Sequence, residues 1–285
     1  MSTYKKEVGT AVQNAAGTLS GVVEGQLWYD STAAAFKYQY PNVTSAGAWS
    51  TGNNMNQARD YLAGAGTQTA ALAFGGEISP ITAVTESYDG TSWTEVNDLN
   101  TARRQIAGAG IQTSAVAFGG DTPPYSNAAE TWNGTSWTTV SSINTTRRGM
   151  AGSGTDNTAV IGFGGVDATT YYALTESWNG STWTTGPNVN TARQELGGSQ
   201  NSPQTSGLAF GGKNPTTIAT TESWDGTGWA SSANLATARY QVRGNAGSSG
   251  SSALAAGGYT GSFSAATEEF TGEIQTVTAS TLTTS

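Results

Sequence analysis

The chain has no cysteine and no histidine, and only 11% of its residues are charged. Without either side chain it cannot build a Ser-His-Asp triad, a Cys-His pair or an ordinary zinc site. Disulfide stapling is excluded too, although this does not identify a compartment. Long apolar runs are missing: no stretch approaches the roughly 20 residues that span a bilayer, so no membrane insertion is expected. Basic residues are few. Twelve Lys and Arg stand against 20 Asp and Glu, a formal net charge of −8. That balance argues against a nucleic-acid partner, which needs a basic stripe facing phosphates, and against docking on anionic lipid. The opening Met-Ser-Thr-Tyr-Lys-Lys has no apolar stretch behind it, so no secretory signal peptide is expected. Leu, Ile, Val and Phe are sparse enough to suggest disorder. The 9 Trp and 11 Tyr, each able to bury a large area, argue the other way.

What the chain does have is a repeat. Gly-Gly pairs close short apolar runs at Gly75-Gly76, Gly119-Gly120, Gly164-Gly165, Gly211-Gly212 and Gly257-Gly258, at spacings of 44, 45, 47 and 46 residues. An arginine opens each unit (Arg59, Arg103, Arg147, Arg193, Arg239), and a glutamate follows each pair (Glu86, Glu130, Glu176, Glu222, Glu268). Two residues later comes an aromatic: Tyr88, Trp132, Trp178, Trp224 or Phe270. A second aromatic follows at Trp93, Trp137, Trp183 and Trp229. A period of this length marks a repeat architecture, whose modules must pack on one another to bury their apolar faces.

Runs such as Ala115-Val116-Ala117-Phe118 are short, apolar and bounded by glycine, as buried strands are. Asp89-Gly90, Asn133-Gly134, Asn179-Gly180 and Asp225-Gly226 fall between aromatic-bearing runs, and such pairs suit a type I′ hairpin turn. No segment of the repeats shows a helical period. Four strands per period joined by short turns predict an all-β fold of propeller blades.

The order of aromatic, Asp-Gly, Trp, Arg and a glycine pair closing an apolar strand resembles the kelch motif of β-propellers, over residues 49 to about 272. The units differ from typical kelch repeats in being rich in Ala, Ser, Thr and Gly, which is similar to kelch-like repeats in tail-fibre and virion surface proteins of tailed bacteriophages. The segment Gly25-Gln26-Leu27-Trp28-Tyr29-Asp30, then Phe36-Lys37-Tyr38-Gln39-Tyr40 and Ala48-Trp49, resembles a β-unit of phage fibre proteins. The resemblance implies a kelch-like β-propeller of five four-stranded blades. Trp49 lies as far before Arg59 as Trp93 does before Arg103, so it supplies the outer strand that the last unit lacks where Gln275 stands. Six blades is the alternative, with residues 26–52 and a strand at 273–279 forming the sixth. The expected organisation is a flexible N-terminal arm over 1–24, a β-hairpin unit over 25–48, the propeller over 49–275 and a C-terminal tail over 276–285.

Five copies each of Glu and Arg could ring a channel as an ion or sugar site. Their presence in every unit favours a structural role in strand-end and blade-to-blade bonding, and the tryptophans read as core. No carboxylate pair stands apart from the repeat, and Asp121 and Asp167 fall at loop starts where a solvated turn is expected. The chain is therefore expected not to be an enzyme and to need no cofactor and no metal. Function is placed on the loops between second and third strands, residues 77–82, 121–127, 166–172, 213–218 and 259–264, where the copies differ most. Variable loops on a rigid scaffold are the usual site of recognition. Tyr125, Tyr171, Tyr172, Tyr259 and Phe263 are the candidate ligand-binding residues, their flat faces suited to sugar rings or protein anchors. The phage resemblance implies a virion location, other virion proteins as partners through the N-terminal arm, host-surface polysaccharide or protein as receptor, and possible homo-oligomers.

Overall fold

The computed structural model describes residues 13–15, 27–32, 35–38, 52–242, 246–249 and 252–271. The chain divides into two compact units, residues 1–51 with 275–285, and residues 52–274. In the first unit Leu27–Asp30 and Ala35–Tyr38 form the hairpin expected from sequence, in register Leu27 to Tyr38. Gln13–Ala15 lies inside the stretch read as a flexible arm, yet it forms a strand paired in parallel with Leu27–Asp30. Trp49 and Gln275 lie outside the described residues, so the expected completion of the last blade does too.

The second unit is a series of antiparallel sheets, with no helix among the described residues. The first sheet runs Ala63–Thr67, Ala70–Phe74, Thr85–Tyr88, Trp93–Val96, each strand beside the next. The second repeats it with Ala107–Ile111, Ser114–Phe118, Ala129–Trp132 and Trp137–Val140. The third begins at Ala151 and ends at Gly186, and the fourth begins at Gly197 and ends at Ser232. A fifth sheet shows three strands among the described residues: Ala246–Ser249, Ser252–Ala256 and Thr267–Thr271. The protein is all-β, with a propeller-like repeat of antiparallel sheets.

Small residues set the spacing between sheets. A Cβ built on Gly108 would lie 2.6 Å from Phe74 Cζ and 2.9 Å from the Gly64 carbonyl of the preceding sheet. One on Gly152 would lie 2.9 Å from Phe118 Cζ and 3.0 Å from the Gly108 carbonyl. Only a missing side chain lets the first strands come this close. At the other end of the junction, each second-strand phenylalanine meets the fourth-strand tryptophan of the next sheet. Phe74–Trp137, Phe118–Trp183 and Phe163–Trp229 stand 4.9, 5.1 and 4.8 Å apart between ring centroids. In the fourth sheet Phe210 instead lines a groove of about 150 Å³ with Leu235, Ala253 and Phe270.

The repeated charges are internal. Arg103 is fully buried; it donates to the carbonyls of Gly119 and Ala128 at 2.9 and 2.6 Å and to Glu130 Oε1 at 2.9 Å. The other oxygen of Glu130 accepts from the Asn100 backbone N–H at 2.7 Å, so the pair clamps the incoming link to its sheet. Arg147–Glu176, Arg193–Glu222 and Arg239–Glu268 repeat the clamp, and Arg59 stands 3.2 Å from Glu86. Burial pulls the Arg103, Arg147 and Arg193 guanidiniums below their ordinary range, against the facing glutamates. Trp132, Trp137, Trp178, Trp183 and Trp224 are buried, as core residues should be.

The hairpin turns differ from expectation. Gly90, Gly134, Gly180 and Gly226 are left-handed, with φ of 91°, 91°, 89° and 94°, but the Asp or Asn before each is not. A type I′ turn needs both. Instead Asp89 Oδ1 accepts from the N–H groups of Thr91 and Ser92, and Asn133 Oδ1 accepts from those of Thr135 and Ser136. The side chain thus caps a longer loop and takes the place of the second left-handed residue.

Candidate functional site

The variable loops leave each sheet after its Gly-Gly pair and are pinned in one way. The glycine N–H donates to a carbonyl at the far end of the loop: Gly119 to Ala128 at 3.0 Å, Gly257 to Ala266 at 3.0 Å, and likewise elsewhere. The residue after the buried arginine then bridges to the first loop residue, which bridges to a third. The resulting tiers are Asp60–Glu77–Ile81, Arg104–Asp121–Tyr125, Arg148–Val166–Tyr171, Gln194–Lys213–Thr217 and Tyr240–Tyr259–Phe263. The backbone arrangement is common to all five. The side chains are not.

In the first three sheets the tiers form an ion ladder. Arg104 reaches Glu77 of the preceding tier, and its Nε and Nη2 both lie 3.1 Å from Asp121 Oδ2. The hydrogen bond to Glu77, first among the causes, raises the Arg104 pKa above its ordinary value. Arg148 Nη1 lies 3.4 Å from the same Asp121 oxygen, and its guanidinium sits 4.8 Å from the Tyr125 ring centroid. Asp121 was expected in a solvated turn; it is only 4% exposed, paired with Arg104 of its own tier and Arg148 of the next. Asp167 fits the turn reading: its Oδ1 accepts from the Thr169 and Thr170 N–H groups, and its Oδ2 accepts from the Tyr172 hydroxyl at 2.6 Å. The Tyr172 bond, with those backbone donors, lowers the Asp167 pKa from 3.8 to about 2.

The last tier is aromatic, and Lys213 of the fourth lies against it. Lys213 Nζ lies 4.2 Å from the Tyr240 ring centroid; Tyr240 and Tyr259 stand 5.2 Å apart, and Tyr259 and Phe263 5.4 Å apart, edge to face. Phe263 is 87% exposed. No hydroxyl bond ties Tyr240 or Tyr259 to another described residue, unlike Tyr172, whose hydroxyl is spent on Asp167.

Beside the tiers runs a row of left-handed residues, Tyr61, Gln105, Gly149, Glu195 and Gln241, with φ between 49° and 65°. Each after Tyr61 hands a hydrogen bond to the unit before. Gln105 N–H donates to Tyr61 O at 2.9 Å, Gly149 to Gln105 at 3.0 Å, Glu195 to Gly149 at 2.7 Å and Gln241 to Glu195 at 2.8 Å. Gly149 offers no side chain, so Gln105 Nε2 reaches across to Glu195 Oε1 at 3.3 Å, both residues buried. The other Glu195 oxygen lies 3.2 Å from Lys213 Nζ, which joins this row to the aromatic cluster.

Of the five residues chosen from sequence, only Tyr259 and Phe263 come together. Tyr125 belongs to the ladder, Tyr172 caps its own loop, and Tyr171 is half-buried at the end of its tier. Arg104, Arg148, Lys213, Tyr240 and Glu195 were missed. A signal existed: the residue after each repeat arginine takes four identities in five copies (Asp60, Arg104, Arg148, Gln194, Tyr240), while the arginine never changes. Among the described residues no three acidic side chains gather as a metal-ligand cluster. A scan against protein-family models finds no match, and a search of curated proteins finds no significant relative.

Proposed function

We propose that this chain is a non-enzymatic surface component of a tailed-phage virion, a fibre, spike or capsid-surface protein that binds host-surface glycan or protein through its loop face. The observation that carries this reading is the contrast within the tiers: one backbone arrangement used five times, with side chains that change from an ion ladder at one end to an aromatic cluster with an exposed Phe263 at the other. That is how a recognition surface is built on a rigid frame. Weak single-site contacts would gain strength from many copies arrayed on one particle. The Ala-, Ser-, Thr- and Gly-rich character of the kelch-like units and the resemblance of residues 25–49 to a phage-fibre β-unit support the phage assignment. A purely structural decoration or assembly module is the second reading. The ladder of Glu77, Arg104, Asp121 and Arg148 favours it, since those charges are spent on one another.

Imaging of assembled particles carrying a tag at Ser285 tests the reading. Label on fibre tips or the capsid surface is expected. Protein free of any particle would overturn it in favour of a cellular kelch-like scaffold or lectin.

The finer fold reading is also ours: a kelch-like ring of five blades, in which Trp49 stands for the fourth-strand tryptophan of the fifth. Its support is the offset from Trp49 to Arg59, which repeats that from Trp93 to Arg103. Removing a buried tryptophan costs about 3–5 kcal/mol. A Trp49→Ala variant should therefore melt as early as Trp137→Ala, and a wild-type melting temperature would rule this closure out.

A further inference from the structure

The aromatic end of the loop face joins three rings to a lysine. Phe263 stands almost free in solvent, Tyr259 meets it edge to face, and Tyr240 continues the wall toward Lys213. Such rings present flat apolar faces at small conformational cost, which suits the C–H face of a pyranose. Beside those faces are polar groups with capacity to spare. The Tyr240 and Tyr259 hydroxyls bond to no described residue, and a lysine ammonium carries three donors.

Charge decides which sugar. Lys213 would draw carboxylated or sulfated glycans if it stood alone. It does not: Glu195 lies 3.2 Å from its Nζ, and Glu195 is buried and held by Gln105. The cluster is locally neutral inside a chain of net charge −8, which repels acidic polymers at long range.

We infer that Lys213, Tyr240, Tyr259 and Phe263 form a subsite for a neutral pyranose, the sugar stacking on the exposed Phe263 ring with its rim toward Tyr259, while Tyr240, Tyr259 and Lys213 bond its hydroxyls. Glu195 and Gln105 are positioning residues that fix Lys213 and cancel its charge. The inference rests on the adhesin reading and gives its receptor a chemical class.

Saturation-transfer NMR on the full chain tests it, with methyl glucoside, methyl galactoside and methyl mannoside as neutral probes and glucuronic acid as the charged one. At least one neutral hexoside should show transfer, and glucuronic acid little or none. Phe263→Ala should weaken the neutral sugar by about tenfold or more at an unchanged melting temperature, since that ring is exposed. The Tyr240→Phe, Tyr259→Phe double variant keeps both rings and should also bind less tightly. Glu195→Gln uncovers the ammonium and should shift preference toward glucuronic acid, a readout that a merely structural Glu195 would not produce. Tyr125→Ala should bind as wild type. Failure of every neutral hexoside, preference of the wild type for glucuronic acid, or undiminished binding by Phe263→Ala would each overturn the inference. Labelled protein applied to host cells separates the two levels. Staining without hexoside binding leaves the adhesin reading standing with a protein receptor, and no staining removes both.

Discussion

Arg103 and Arg104 are neighbours in sequence and opposites in role. Arg103 is fully buried, bonded to two carbonyls and a glutamate of its own sheet, and its counterpart recurs in every unit. The Arg104 side chain is 27% exposed, links the first and second tiers, and its counterparts are Asp60, Arg148, Gln194 and Tyr240. The difference is one of obligation. A side chain that satisfies buried backbone carbonyls cannot change without stranding them, whereas one that lies across a backbone bridge leaves the bridge intact whatever it is. The frame is therefore copied and the face is free.

Breaking the frame should give the largest effect. Glu130→Ala leaves Arg103 charged and buried against carbonyls alone, and removes the acceptor of the Asn100 N–H. Loss of one member of such a pair costs about 3–5 kcal/mol, which thermal or denaturant unfolding would report. Arg104→Ala, one residue from the frame, should cost only about 1 kcal/mol, the upper end for partly exposed pairs, because Arg148 still covers Asp121. Equal losses from the two variants would erase the distinction between frame and face.

The smallest effect belongs to the third loop. Asp167 should titrate near 2, and Tyr172→Phe should return its midpoint toward 3.8. A depressed carboxylate pKa stabilises the folded loop above its unfolded value, and that contribution is lost as pH falls through the folded one. The Asp167–Tyr172 contact should therefore persist at neutral pH and release between about pH 4 and 2. A carboxyl NMR titration measures the midpoint in both proteins.

Much of the frame was legible because it repeats. The Gly-Gly pairs, the apolar runs before them and the Arg and Glu positions each carry one physical demand copied five times. The turns were misread because Asn-Gly and Asp-Gly satisfy two geometries, and only the side-chain acceptor to Thr91 and Ser92 chooses between them. The face was half legible. Loop variation pointed to Tyr259 and Phe263, but Tyr240 and Lys213 come from different units and meet only when those units pack. Glu195 sits 90 residues from Gln105, a pairing no local pattern announces.

Every variable loop is held at its root by the same glycine N–H bond and the same bridge to the residue after the buried arginine. Loops fixed in this way are exchangeable parts. Recombination out of register between two copies of the repeat in the gene would move a loop intact from one sheet to another. The face would then acquire a new order of ladder and aromatic tiers with no new residue invented and no clamp disturbed.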